Sequence, residues 1–247
     1  MILRAPSFWA SDANGKPKPL AKALAPMGNL YAAAGKRRMA NTKAYRATGP
    51  VICVGNISTG GVGKTPFSLM LADLLKTQNL APHFLSRGYG GKLKGPVEVD
   101  PAHHSAEECG DEPLLLAGTA RTWIARERPA GANAAFDAGA DIIIMDDGFQ
   151  NPSLYKDFSF LLIDVADPFG NGQILPAGPL RERPEDARER ADAIIFVVRK
   201  KGDVISPKLA AFAGIRPSFT AWLAADQSPE EVAQIGPVVA FAGIGTP

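Results

Sequence analysis

The sequence predicts an α/β protein built on a mostly parallel sheet with helices on both faces. Two observations carry this expectation. From residue 51 onward, short apolar, β-rich runs alternate with segments of helical periodicity, the pattern of a sheet wound with crossover helices. The first and third runs then end in residues too unusual for ordinary turns: a Gly-rich stretch leading into Lys64-Thr65, and the pair Asp146-Asp147. Ligands of such sheets gather at the carboxyl ends of the strands, where both stretches fall.

The first strand is Val51-Ile52-Cys53-Val54, followed by Gly55-Asn56-Ile57-Ser58-Thr59-Gly60-Gly61-Val62-Gly63-Lys64-Thr65. A helix comes next, with Phe67, Leu71, Leu74 and Leu75 expected on its buried face. Strand, Gly-rich loop, Lys-Thr and helix in that order form a phosphate-binding loop, and the fold expected is therefore that of the P-loop NTPases. Backbone N–H groups across Gly60, Gly61, Val62 and Gly63 can wrap a triphosphate, Lys64 can reach its β and γ oxygens, and the Thr65 hydroxyl can ligate Mg²⁺. Ser58 stands where the usual G-x-x-x-x-G-K-[ST] spacing has glycine.

Further strands are expected at Pro82-His83-Phe84-Leu85, Ile142-Ile143-Ile144-Met145, Phe158 to Val165 and Ile194 to Val198. Four apolar residues deliver Asp146-Asp147 to the end of the second of these, a Walker B arrangement in which a carboxylate organises Mg²⁺ opposite Thr65. Two adjacent aspartates there repel one another unless a cation lies between them, although one Asp could serve the turn before Gly148. In Ser86-Arg87-Gly88-Tyr89-Gly90-Gly91, Arg87 can face a phosphate. Asp111, in Gly110-Asp111-Glu112-Pro113, can either cap a helix or act as a base. The stretch from Gly170 to Glu182 holds too much Gly and Pro for an element interior and is expected to be a long functional loop.

Residues 1–50 carry nine Lys/Arg against one Asp, while the rest carry eighteen Lys/Arg against twenty-four Asp/Glu. Leu20, Leu24, Met27, Leu30 and Tyr31 recur at helical spacing, interrupted by Pro26 and flanked by Lys22 and Lys36-Arg37-Arg38. Such a segment can lie in a membrane interface or pack as a basic arm on its own domain. Nucleic acid is not expected, because no aromatic-rich recognition motif accompanies the charge. Cys53 and Cys109 have neither metal-ligand spacing nor a disulfide framework, which points to a reducing cytosol. No stretch approaches the roughly 18 apolar residues of a membrane span.

Together these stretches resemble the tetraacyldisaccharide 4′-kinase family, membrane-associated enzymes that phosphorylate a lipid A precursor. The resemblance rests on Gly55-Asn56 with Gly60 to Pro66, Ser86-Arg87-Gly88-Tyr89-Gly90, Gly110-Asp111-Glu112-Pro113, Asp146-Asp147-Gly148-Phe149-Gln150 and Leu175 to Glu182, all in family order. It implies an ATP- and Mg²⁺-dependent kinase acting on the 4′-hydroxyl of an acylated glucosamine disaccharide. Lys64 and Thr65 would bind the triphosphate, Thr65, Asp146 and Asp147 would organise the metal, and Arg87, Arg181 and Glu182 would meet substrate. Asp111 falls where the family has a catalytic carboxylate paired with a histidine, which favours the base over the cap. The family's N-terminal segment implies a peripheral site on the cytoplasmic face of the inner membrane, and no obligate protein partner is expected.

Three segments follow: an N-terminal interfacial segment over 1–50, a P-loop kinase domain over 51–215, and over 216–247 a linker with the start of a smaller C-terminal α/β domain. The family continues beyond the position of Pro247, so the expectation is of a truncated chain without the partner histidine. The family commonly has His where this chain has Asn151. The rival functions are a P-loop ATPase or GTPase partner protein, the latter without an Asn-Lys-x-Asp guanine motif here, and a nucleotide-binding fragment without turnover.

Overall fold

The computed structural model describes residues 5–12 and 15–224. Among these, eight strands form one sheet: β1 (Val51–Gly55), β2 (Pro82–Ser86), β3 (Val97–Glu98), β4 (Thr122–Ile124), β5 (Ile142–Asp146), β6 (Phe158–Asp164), β7 (Ala193–Val198) and β8 (Ser218–Trp222). Their order is β3-β4-β2-β5-β1-β6-β7-β8, and every pairing is parallel except the one between β3 and β4. The α/β expectation and all five predicted strands are met. β1 lies at the centre with β5 on one side and β6 on the other, so the chain winds one way up to β5 and the opposite way after β6. That reversal is where a crevice opens above the strand ends.

Alternation along the strands sends side chains to two layers. Val54, Phe84, Ile144, Leu162 and Ile195 pack against Leu71 and Ala72 of α2 (Lys64–Thr77) and Leu116 of α4 (Asp111–Ala117), α3 being the short turn Ala106–Cys109. On the other face, Leu85, Ile143 and Met145 meet Ala132 and Ala135 of α5 (Arg128–Asp137). Cys53, Leu161, Ile194 and Phe196 meet Ala187 of α6 (Pro184–Arg190) and Leu209 of α7 (Pro207–Ala213) on that same face. Leu74 corrects the helical-face expectation. It is exposed, because the turn that faces the sheet is set by Ser68, Leu71 and Ala72.

Sequence periodicity missed β3, β4 and β8. The first two have only two and three residues, and β8 is an edge strand with most of its residues exposed, so none has a strong apolar pattern. β8 pairs with β7 from Ile194↔Ser218 to Val198↔Trp222, so the sheet continues past residue 215. The strand expected at Val238 to Phe241, and the C-terminal domain it would begin, lie outside the described residues.

The N-terminal helix α1 (Pro19–Asn41) runs unbroken through Pro26, which costs it one backbone N–H donor. Its small residues face inward: Ala21 and Gly28 are buried, and a Cβ on Gly28 would stand 2.7 Å from the Ile174 carbonyl. Its large apolar residues face outward, with Met27 58% and Leu30 73% exposed. Small residues inside let the helix backbone lie close to the loop beneath it.

One contact tests how tightly the site-bearing turn after β5 is built. A Cβ on Gly148 would fall 1.9 Å from Met145 Sδ, in the core beneath the aspartates. Gly148→Ala is expected to destabilise the protein by about 1–3 kcal/mol through overpacking, measured as a lower denaturation midpoint with an unchanged m-value.

Candidate active site

The phosphate loop bridges the carboxyl end of β1 and the start of α2, with Gly63 at φ +83° as the residue before the helix. Glycine adopts that angle at little cost, and the turn it makes aims the first N–H groups of α2 back over the strand. Val62 is buried against the sheet, while Gly60 and Gly61 are exposed on the loop crest. Because β1 and β5 are neighbours in register, with Val54 opposite Asp146, the loop and the aspartate pair emerge side by side.

Asp146 is 2% exposed. Thr65 donates to its Oδ2 at 3.3 Å and Ser68 to its Oδ1 at 3.0 Å. Burial pushes its carboxyl up to about 6; the Ser68 hydrogen bond opposes that, Glu112 adds to it, and to a lesser extent Lys64 lowers it and Asp147 raises it. Asp147 adopts φ +51°, a conformation Asp tolerates better than most side chains, and so points its carboxylate elsewhere. Lys64 Nζ lies 3.7 Å from its Oδ1, and Arg181 Nη1 donates to both its oxygens at 2.9 and 3.1 Å. Two adjacent aspartates thus receive different partners: hydroxyls for the buried one, cations for the outer one.

Arg181 and Glu182 arrive from the long loop after β6. That loop is stitched to the phosphate loop by backbone hydrogen bonds, from Thr59 N to Pro179 O at 2.8 Å and from Arg181 N to Ile57 O at 2.7 Å. Gln150 closes the ring: its Nε2 donates to Asn56 O at 2.8 Å and to Glu182 Oε1 at 2.9 Å, and its Oε1 accepts from Arg181 at 3.3 Å. Glu182 is held on its other oxygen by Arg190 Nη2 at 2.6 Å. A cavity of about 520 Å³ adjoins this ring, walled by Tyr31 and Met39 of α1 on one side and Arg181, Glu182 and Arg183 on the other.

The remaining sequence candidates lie further out on the same edge. Asp111 is the first residue of α4 and exposed; Gly110 is the capping position, and no side-chain cap is formed there. The charge of the neighbouring Glu112 bears on Asp146 and helps to raise its carboxyl. Arg87 is exposed on the loop after β2, and its charge is felt by Arg128. Asn151 folds back on its own chain, its Oδ1 accepting from Ser153 N and Oγ. The three histidines are engaged elsewhere: His83 with Trp123 in the sheet, His103 and His104 with Asp100. Sequence reading missed Ser68, although it lies three residues after Thr65 on the same helical face. It also missed the bridging role of Gln150 and the buried Arg128, for which no local pattern exists.

Fold and site together define a phosphate-loop nucleotide-binding protein with the acid-and-cation arrangement of a phosphotransferase. The family model described as tetraacyldisaccharide-1-P 4′-kinase matches residues 20–247, and the chain belongs to that family of kinases. A tetraacyldisaccharide 4′-kinase of Parvibaculum lavamentivorans is 49% identical over 246 residues, covering 99% of this chain and 71% of that protein. One of Rhodospirillum rubrum is 47% identical over 249 residues, covering 99% and 72%. Among solved structures, LpxK from Aquifex aeolicus in complex with ATP superposes with a TM-score of 0.66 at 32% identity, covering 81% of this chain and 64% of that one.

A raised carboxylate pKa means that ionisation opposes folding. The Asp146 contribution to the stability of the ligand-free protein is therefore fully present below the unfolded value near 4 and is lost as pH rises toward about 6, by up to about 3 kcal/mol. Asp146→Asn removes that cost and is expected to raise the melting temperature of the ligand-free protein at pH 7.5 while abolishing turnover. A lower melting temperature at that pH would show the buried carboxylate to be stabilising instead.

Proposed function

We propose that this chain binds Mg·ATP in its phosphate loop and transfers the γ-phosphoryl group to the 4′-hydroxyl of an acylated glucosamine disaccharide 1-phosphate, a lipid A precursor, at the cytoplasmic face of the inner membrane. The observation that carries the reading is the division of labour at the strand ends, with Asp146 held by Thr65 and Ser68 and Asp147 set between Lys64 and Arg181. A nucleotide-binding protein needs the first half of that arrangement. Phosphoryl transfer also needs cations that follow charge onto the leaving and transferring oxygens.

The oxygen donors Thr65, Asp146 and Asp147 suit Mg²⁺, which prefers one or two carboxylates completed by phosphate oxygens and water. Among the described residues no cluster of three His, Cys, Asp or Glu forms a closed protein cage, in keeping with a site that borrows its other ligands. When bound, the ion neutralises charge on the β and γ oxygens. Lys64 adds a fixed cation beside them, and the backbone N–H groups of Gly60 to Gly63 receive the remaining oxygens. Asp111 accepts the proton of the attacking sugar hydroxyl. Its exposure at the start of α4 and its freedom from capping duty leave it available as a base.

The outer face of α1 supports the membrane placement. Leu20, Met27, Leu30 and Tyr31 are exposed together with Lys22, Lys36 and Arg37, an apolar and basic surface suited to an interface. Among the described residues no helix is long and apolar enough to cross a membrane.

Two measurements test the chemistry. Lys64→Ala should abolish transfer and weaken Mg·ATP binding; unchanged affinity and turnover would refute the phosphate-loop role. Asp111→Asn should lower kcat on the order of a hundredfold with ATP affinity nearly unchanged, as for a lost general base, whereas normal turnover would assign Asp111 to helix stability alone. For the membrane, Met27→Glu with Leu30→Glu should reduce sedimentation with anionic vesicles without changing ATP affinity, since both side chains point away from the sheet. Equal sedimentation of variant and parent would remove α1 from the interface.

A further inference from the structure

Lys156 lies between β5 and β6, on the loop that leads from the acidic turn back to the sheet. It is partly buried, and burial pushes its ammonium below the ordinary lysine value; Cys53 and Glu182 oppose that shift, while Arg190 and Arg128 add to it. Among the described residues it has no carboxylate partner. Its one hydrogen bond runs from Nζ to the Asn151 carbonyl. A sheltered ammonium held by a single neutral acceptor is a costly arrangement, and an apolar side chain would pack there at less expense. The cost points to what that acceptor carries.

Asn151 closes the turn that begins at Asp146-Asp147. Its N–H donates to Gly148 O at 3.0 Å and its Oδ1 accepts from Ser153, so the Lys156 bond fixes its carbonyl as well. One residue earlier, the Gln150 carbonyl is taken by Arg38 of α1 at 3.1 Å. Two consecutive carbonyls therefore each receive a cation, one from the N-terminal helix and one from the loop itself. Charge-assisted bonds at both leave the Gln150 backbone little freedom. The Gln150 side chain is the one that joins Asn56 O, Glu182 and Arg181. Lys156 also lines a second cavity of about 320 Å³, together with Phe149, Arg190 and Asp192, which leaves room for a small amine beside position 156.

We propose that Lys156 is a positioning residue for the acceptor side of the site: it fixes the Asn151 carbonyl, and thereby the Gln150 bridge that sets Arg181 and Glu182. The kinase reading bears only on what those side chains meet. Lys156 makes no hydrogen bond to the phosphate loop or to the aspartate pair, so nucleotide binding does not depend on it.

Lys156→Met keeps the length of the stem and removes the donor. It should raise KM for the acceptor by about tenfold or more, with ATP affinity measured by calorimetry within about twofold of the parent. Amide hydrogen exchange at Asn151 and Arg181, whose N–H groups are bonded to Gly148 O and Ile57 O, should speed by about tenfold or more, while the amides of β1 and β5 exchange as in the parent. Lys156→Ala opens the position to the cavity, and n-propylammonium should restore the parent KM saturably where tetramethylammonium, a cation without a donor, does not. If Lys156→Met does not fold, Lys156→Ala prepared in n-propylammonium supplies the same comparison as the amine is withdrawn. Faster exchange at both amides in a chain whose parent phosphorylates no acceptor would overturn the kinase reading and keep Lys156 as the support of Gln150. Parent exchange rates at both amides, or a parent KM for the acceptor in the variant, would overturn the proposal.

Discussion

The arrangement turns on keeping one carboxylate, that of Asp146, buried at the end of a central strand with only hydroxyl donors on it. Burial opposes its charge, and the hydroxyls of Thr65 and Ser68 offset the cost only in part. A cation arriving beside it would relieve the remainder. Much of the local architecture serves to hold that position: the register of β1 against β5, the first two turns of α2, and the close packing of Gly148 on Met145. A site of this kind trades stability of the free protein for affinity, as expected where function and burial of charge coincide.

Around this buried acid the outer ring is assembled from distant segments. Asp147, Arg181, Gln150, Glu182 and Arg190 form a chain of hydrogen bonds running from the strand end to α6. Each charged member has an oppositely charged or amide neighbour, so the ring can stay ionised while partly buried. Gln150 also contacts the Asn56 carbonyl, which ties the phosphate loop to the acidic turn. Movement of either loop is thereby felt by the other.

The N-terminal helix joins this ring to the protein surface. Arg38 donates to the Gln150 carbonyl at 3.1 Å, and Lys36 pairs with Asp186 of α6 at 2.7 Å. α1 is therefore attached to the site through its basic end while Met27 and Leu30 remain outside. An exposed ion pair such as Lys36–Asp186 adds little stability by itself. Contact of small residues such as Gly28 with the loop beneath accounts better for how the helix is seated.

Sequence alone determined the parts of this protein that are contiguous along the chain. The phosphate loop from Gly60 to Thr65, the acidic turn after Ile142 to Met145 and the five apolar strands each carry their geometry in neighbouring residues, because strand, turn and helix starts are set by local backbone preferences and periodicity. The family order of the motifs was equally legible. Tertiary structure decided what those motifs meet. That Ser68 holds Asp146 and that the loop after β6 brings Arg181 to Asp147 both follow from strand order, which no local pattern encodes. The exposed edge strand β8 and the outward face of α1 were hidden for the related reason that burial belongs to the whole packed molecule: the same leucine spacing suits a core or a surface until the neighbouring layers are in place.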